Sequence, residues 1–369
     1  MSQSRSATRK HPSLVSLAVG LALIVSGAAA RAETDPFAVP KGLENAVEFW
    51  KQVFTRYSEH ELIFHDPTDH SKIYTVLSVP ENKPASRAII NNEYARITAA
   101  YNLGRNGGQV RSQRGAREQF VISHQRSLRY IDRMKQIFRE EGLPVELAYL
   151  PHVESAFDLN AQSRAGAVGL WQLMPVAAGR FLRTANTVEG RKDPYASTRA
   201  ATRIFKENYQ TLGNWPLAVT AYNYGATGVF NAAQAVGSND LVEIIRNYKH
   251  RWFNYEPKNF YAEFLAIVQL MRAKDSVAIA AQKHHPFRMR EIVLKRTVPL
   301  EPLLKTAAIS PSQFLAWNED LDDGARALPA GYAVKIPEER VERFVDVNRH
   351  LIRATPASRL EAGFPRRRS

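Results

Sequence analysis

Apolar residues recur at helical spacing in the segment that begins at Leu143, and a carboxylate occupies one of the apolar positions. Leu143, Leu147 and Leu150 share one face of a helix, and Glu154 continues that face. A carboxyl on a buried face loses hydration, which disfavours its charged form and raises its pKa. A carboxyl that stays protonated near neutral pH can protonate a leaving oxygen. The pattern predicts Glu154 as a general acid, against the alternative of a solvent-facing glutamate at a helix end.

The apolar pattern predicts an extension of a helix and a β-hairpin before this segment, over residues 33–115. A helix is expected from Asn45 to about Tyr57. Two β-rich runs, Leu62 to His65 and Lys72 to Leu77, flank the turn sequence Asp66 to Asp69, which is typical of a hairpin. Histidines and aspartates near this turn match no standard metal spacing, so turn residues are the simpler interpretation.

From residue 116 to residue 285 the pattern is nearly all helical, with Gly, Pro and Asn marking the turns. This region is interpreted as the main domain. The helices expected around it are Asn91 to Leu103, Arg117 to Glu141, Ser197 to Leu212, Asp240 to Tyr248 and Asn259 to Lys274.

A different composition begins at Pro286 and predicts a small α+β module over residues 286–345. Its expected order is strand, helix, helix, strand. The expected elements are Glu291 to Arg296, Leu300 to Ala308, Ser310 to Trp317 and Tyr332 to Pro337. Residues 346–369 form a basic tail.

The first 32 residues have the pattern of a signal peptide. Three basic residues precede the apolar run Leu14 to Ala30, and Ala30-Arg31-Ala32 is a small-x-small cleavage site. The run is short for a membrane span, although an uncleaved anchor is the alternative. The chain has no cysteine, which excludes disulfides and a lipid-modified cysteine. A periplasmic location without a stable membrane span is therefore predicted.

The net charge of +14 and the pI of about 9.9 indicate an anionic partner. An exported protein rarely meets nucleic acid, so nucleic acid is not the expected partner. Peptidoglycan carries lactyl and peptide carboxylates and fits an exported basic protein better. Part of the charge lies in the terminal segments, so this inference is weak by itself.

A Gly-rich segment, Gly166 to Pro175, follows Glu154. Its glycines allow close backbone approach to a ligand, and the Gln172 amide can both donate to and accept from sugar hydroxyls. Trp171 and Met174 offer apolar area for sugar faces, although core packing explains such residues equally well. Further on, a helix stopped by Gly225 places Tyr222 to Tyr224 at its exit.

In their order and spacing these segments resemble the lytic transglycosylases with a lysozyme-like catalytic domain. The segments that carry the resemblance are Glu154 to Phe157, Ala161 to Ser163, Gly166 to Pro175, Asp193-Pro194 and Ala221 to Gly225. The resemblance implies a mainly α, lysozyme-like domain that cleaves glycan strands of peptidoglycan between N-acetylmuramic acid and N-acetylglucosamine. It implies that Glu154 is the one catalytic carboxylate, acid first and base second, and that 1,6-anhydro ends result.

The resemblance also implies the residues that bind the glycan, with no metal or organic cofactor. These substrate-binding residues are Ser163, Gln172, Met174, Tyr222, Asn223 and Tyr261. The family's tyrosine near the glutamate falls on Phe260 here. Either the neighbouring Tyr261 supplies the hydroxyl, or the role is lost or moved to Tyr222. Asp158, Asp193 and Glu146 are interpreted as turn, helix-start and surface residues, so the sequence allows Glu154 as a single catalytic acid but does not prove it.

The C-terminal module resembles a divergent LysM module, which binds N-acetylglucosamine polymers. The segments concerned are Trp317 to Leu321 and Leu328 to Gly331. A small packing domain that binds nothing is the alternative. For the whole chain, two other functions stay open: a hydrolytic muramidase on the same fold, and a non-catalytic peptidoglycan-binding protein.

Overall fold

The protein is described here by a computed structural model that covers residues 35–79, 84–104, 109–182, 188–273 and 289–353. The predicted signal peptide and the tail beyond residue 353 lie outside the described residues. Helices predominate in the part that is described, as the sequence predicted. None of the helices described is both long and apolar enough to span a lipid bilayer.

The N-terminal part joins a helix to a small antiparallel sheet. Its elements are α1 Glu44–Thr55, β1 Glu61–His65, β2 Ile73–Ser78, α2 Pro84–Ala100 and β3 Arg111–Arg114. The predicted hairpin is present, with Ile63 opposite Val76. On its other edge β1 pairs with β3, whose sequence Arg-Ser-Gln-Arg contains no β-branched or aromatic residue. That composition explains why the pattern of the sequence did not predict a third strand.

Two helices, α3 Arg117–Ser127 and α4 Ile131–Glu140, occupy the segment predicted as one helix from Arg117 to Glu141. The prediction of a continuous helix was wrong. At the break the Ser127 hydroxyl donates to the His124 carbonyl at 2.7 Å. A serine that bonds a local carbonyl in this way offers the backbone an alternative to the helical ladder.

The central part is helical and is built around its longest buried helices. A 3-10 helix, Val145–Tyr149, is followed by α5 Pro151–Glu154, α6 Pro175–Phe181, α7 Pro194–Leu212, α8 Trp215–Tyr224, α9 Ala226–Val236, α10 Leu241–Asn247 and α11 Tyr255–Arg272. Helix α11 packs against α1, α8 and α5. Most of its side chains are buried, including Phe264 and Leu265 at 0% exposure. Burial of this kind is the main stabilising term of the domain.

The N-terminal part contacts α11 through specific polar bonds as well as apolar packing. The Trp50 indole donates to the Asn259 side-chain oxygen at 3.3 Å. The Tyr255 hydroxyl lies 3.2 Å from the His65 Nε2, and the Arg111 guanidinium lies 4.0 Å from the centre of the Tyr255 ring. The extension and α11 therefore form one continuous core.

The C-terminal module has its own apolar core, which includes Phe314 and Val334 at 0% exposure. Its elements are β4 Met289–Val293, β5 Val298–Pro299, α12 Leu300–Ala307, α13 Pro311–Trp317, β6 Ala327–Leu328, β7 Ala333–Pro337 and α14 Glu338–Asn348. Strands β4 and β7 pair antiparallel, and α12 and α13 lie between them in the chain. Helix α14 crosses the predicted boundary at residue 346, and Leu351 and Ile352 beyond it are buried.

A buried ion network fixes this module to the start of α7. The Lys335 Nζ lies 2.8 Å from an Asp193 carboxylate oxygen and 2.5 Å from an Asp320 oxygen. Asp193 also caps α7 by accepting from the Tyr195 and Ala196 amides. The sequence predicted Asp193 as a helix start, which is confirmed, but gave no sign of the lysine. A cleft of about 720 Å³ lies beside this junction.

Candidate active site

Glu154 is the last residue of α5, a helix of a single turn. Pro151 begins this helix, because proline is tolerated where the amide has no helical partner. Ala156 and Phe157 end the helical path in left-handed conformations, with φ of 50° and 54°. The single helix predicted from the leucine spacing is thus divided into a 3-10 and an α segment. Leu147 and Leu150 are nevertheless fully buried, as predicted.

The Glu154 carboxyl is only partly accessible to solvent, and no described residue forms a hydrogen bond with it. Burial raises its pKa from 4.5 to about 8. A carboxyl with this pKa is largely protonated at neutral pH and can donate a proton. The Ser155 hydroxyl, next in the chain, donates to the Leu170 carbonyl at 2.8 Å and joins α5 to the Gly-rich segment.

A second carboxyl, Glu263, lies near Glu154. It projects from α11, which packs against α5. Burial, then the charge of Glu154 and then that of Glu256, raise the pKa of Glu263 to about 8. Glu263 was not among the second acids considered from the sequence, which were Asp158, Asp193 and Glu146. Glu263 is the one charged residue between Phe260 and Leu270, so the rule that identified Glu154 could have found it.

Tyr222 lies in the last turn of α8. Its hydroxyl donates to the Trp171 carbonyl at 2.8 Å. Burial, and after it the charge of Glu154, raises the pKa of Tyr222 well above its usual value. Asn223, the next residue, is exposed. Gly225 ends the helix at φ 86°, as predicted.

The Gly-rich segment forms a compact turn that packs on the protein itself. A Cβ at Gly169 would collide with the Arg191 carbonyl oxygen, so this glycine allows an approach to backbone and not to a ligand. The Gln172 amide nitrogen donates to the Ala161 and Gly169 carbonyls at 3.2 and 2.9 Å. Its donor group is thus used within the loop, while its oxygen has no described donor.

Two other predicted glycan-binding residues in this region have different degrees of exposure. The Ser163 hydroxyl accepts from the Ala167 amide at 3.0 Å and is partly buried. The Met174 side chain is 42% exposed, which suits a residue that contacts a ligand. Trp171 is fully buried and bonded to Thr198, so its role is core packing.

Tyr261 lies on α11 with 1% of its surface exposed, next to Phe260 at 5%. Its ring packs near Phe264, with the two centroids 6.3 Å apart. Tyr222, by contrast, is half-buried. Of the two tyrosines considered for the family position, Tyr222 is the less buried, and burial and then the charge of Glu154 raise its pKa.

A protein-family comparison matches residues 134–245 to the transglycosylase SLT domain. This match includes Glu154, the Gly-rich segment and Tyr222 to Gly225. Glu263 lies after it. Over 208 residues, 56% of this chain, the sequence is 26% identical to membrane-bound lytic murein transglycosylase D of Escherichia coli K12. The alignment covers 45% of that protein's length.

Two solved structures also match. The 70 kDa soluble lytic transglycosylase of Escherichia coli matches 51% of this chain and 30% of its own, at 20% identity and a TM-score of 0.34. The lytic transglycosylase Slt of Pseudomonas aeruginosa matches 50% and 28%, at 19% identity and a TM-score of 0.30. Residues 134–245 thus match the transglycosylase SLT domain, and the chain spans about half the length of the curated relatives it matches.

Proposed function

We propose that the protein is a peptidoglycan lytic transglycosylase that cleaves the β-1,4 bond between N-acetylmuramic acid and N-acetylglucosamine. Glu154 donates its proton to the oxygen that leaves with N-acetylglucosamine. The resulting carboxylate then takes the proton of the muramyl C6 hydroxyl, whose oxygen bonds to C1 and leaves a 1,6-anhydro end. The observation that carries this proposal is the Glu154 pKa of about 8 within an SLT-domain segment.

The proposed glycan cleft extends from Glu154 across the Gly-rich segment and the end of α8. Met174 and Asn223 offer exposed contacts to the sugars, and Ser163, Gln172 and Tyr222 lie deeper. Tyr261, which lies on α11, is also proposed to bind the glycan. The proposal needs no metal and no organic cofactor.

A hydrolytic muramidase is the second candidate, because Glu263 lies near Glu154. Glycosidases that use water generally have two carboxyl groups, one acid and one base or nucleophile. An ionised Glu263 could take a proton from water in place of the C6 hydroxyl. Mass spectrometry of the released fragments separates the two reactions, since a hydrolytic end is heavier by two hydrogens and one oxygen. We expect the anhydro product.

Replacing Glu263 by glutamine is expected to shift the pH dependence of kcat/KM. Activity falls as pH rises through the pKa of the acid, near 8 for Glu154. A neighbouring negative charge favours the protonated form of Glu154, so its removal moves the alkaline limb to lower pH. Glu256→Gln, on the exposed start of α11, is the control and should shift the limb less. A loss of all activity in Glu263→Gln would instead favour a water-activating base.

The proposed location is the periplasm, reached through the predicted signal peptide. The C-terminal module is proposed to bind N-acetylglucosamine polymers in the manner of LysM modules. A non-catalytic wall-binding protein is the remaining alternative, and it predicts wall binding without release of soluble fragments by the unaltered protein.

A further inference from the structure

Trp252 lies in the loop between α10 and α11 with 62% of its surface exposed. An indole is the largest apolar side chain, and its exposure to water costs free energy that a bound partner would recover. The Arg251 guanidinium lies 4.7 Å from the centre of the Trp252 ring. Much of the indole surface remains open to solvent.

The loop that presents Trp252 is held by several contacts. The His250 Nδ1 accepts from the Trp252 amide at 3.4 Å and lies 3.1 Å from the Tyr224 hydroxyl. The Phe253 ring is buried and lies 5.0 and 5.4 Å from the rings of Tyr224 and Tyr248. A loop that is already ordered loses less conformational entropy when a ligand binds.

These contacts connect the loop to the proposed cleft. Tyr224 contacts His250 and lies two residues after Tyr222. The charge of Glu154 contributes, after burial, to the raised pKa of Tyr222. Successive residues of a helix project about 100° apart, so Tyr222 and Tyr224 lie on nearly opposite sides of α8, and the exposed Asn223 lies between them at the helix end.

The same loop and the first turn of α11 carry an excess of positive charge. Lys249, Arg251 and Lys258 accompany a single acid, Glu256, between residues 248 and 258. Within the described part of the chain, none of the three cations forms an ion pair with a carboxylate. Burial and the charge of Lys249 lower the pKa of Lys258, so these two ammonium groups repel each other. An anionic ligand would relieve that repulsion.

We propose that Trp252, with Lys249, Arg251 and Lys258, forms a platform for the peptidoglycan strand beyond the sugars at Glu154. The apolar face of one sugar ring packs on the indole, and the cations pair with carboxylates of the lactyl groups and peptides. This Trp252 platform rests on the proposed function for the identity of its ligand. It adds a binding surface outside the matched SLT segment, which ends at residue 245.

The test measures binding separately from cleavage, in the full chain carrying Glu154→Gln. Trp252→Ala is expected to weaken binding to isolated wall sacculi about tenfold, as loss of a central aromatic contact does. Trp252→Phe should retain most of the affinity. Tyr101→Ala removes an aromatic of 49% exposure that packs on Tyr74 in the N-terminal part, so it is the matched control and should bind unchanged.

Wall strands with and without their peptides separate the contribution of the indole to binding from the contribution of the cations. Lys249→Gln with Arg251→Gln should weaken binding to strands that carry peptides more than to strands stripped of peptides. Trp252→Ala should weaken both. Equal affinity of Trp252→Ala and its parent, or an equal loss in Tyr101→Ala, overturns the platform. If the unaltered chain releases no fragments while Trp252→Ala still binds more weakly, the proposed reaction fails and the platform stands.

Discussion

Glu154→Gln is expected to lower the release of soluble wall fragments by about 10³-fold, which corresponds to about 4 kcal/mol of barrier. Glutamine has the same shape but no transferable proton, so it neither protonates the leaving oxygen nor accepts the C6 proton. Binding to the wall should be unchanged, because the side-chain volume is conserved. Turbidity clearing of sacculi measures the activity, and sedimentation with sacculi measures the binding.

Glu146→Gln is the matched control, since Glu146 pairs with Arg272 at 2.7 Å on the protein surface. It should clear the wall like the unaltered protein. Equal clearing by Glu154→Gln would reject Glu154 as the acid.

Glu154→Gln should also change the stability of the protein. The folded pKa of about 8 exceeds 4.5, so the protonated Glu154 favours folding below pH 4.5 and that contribution is lost as pH rises through 8. Glu154→Gln should therefore gain stability relative to its parent at alkaline pH.

Lys335→Ala is expected to reduce the free energy of unfolding by about 3–5 kcal/mol, because it leaves two buried carboxylates without their cation. Lys335 is 1% exposed, and its partners Asp193 and Asp320 are 5% and 2% exposed. Asp193 would lose its ion pair but keep its hydrogen bonds to the amides at the start of α7. Denaturant titration followed by circular dichroism measures the loss.

Lys305→Ala is the control for this variant, because Lys305 is an exposed lysine on α12. Its effect should stay within about 0.5 kcal/mol. A loss below about 1 kcal/mol in Lys335→Ala would show that the ion network contributes little to the attachment of the module. Separate melting of the two parts in Lys335→Ala would show that the network couples them.

Local patterns in the sequence predicted what depends on neighbouring residues. The spacing of Leu147, Leu150 and Glu154 indicated a carboxyl in apolar surroundings, and the burial that raises its pKa follows from that spacing. The stop of α8 at Gly225 was equally predictable, because glycine adopts positive φ without strain.

Other features depend on residues far apart in the chain, and no local pattern contains them. Lys335 and Asp193 are 142 positions apart, and Glu263 approaches Glu154 only because α11 packs against α5. The break between α3 and α4 had a different cause. Helical periodicity continues through residues 128–130, and it does not register a single serine whose hydroxyl donates to a carbonyl three residues earlier.

The attachment of the N-terminal part to α11 has a consequence for anyone dividing this chain into fragments. The family match covers residues 134–245, and the main domain predicted from the sequence begins at residue 116, so a fragment from residue 116 onward is an obvious choice for expression. Such a fragment would lose the shelter of α1 and leave Asn259 and Tyr255 without their partners Trp50 and His65. The apolar face of α11, the helix that carries Glu263, would then be exposed to water. The N-terminal part and the helical part should therefore be expressed together.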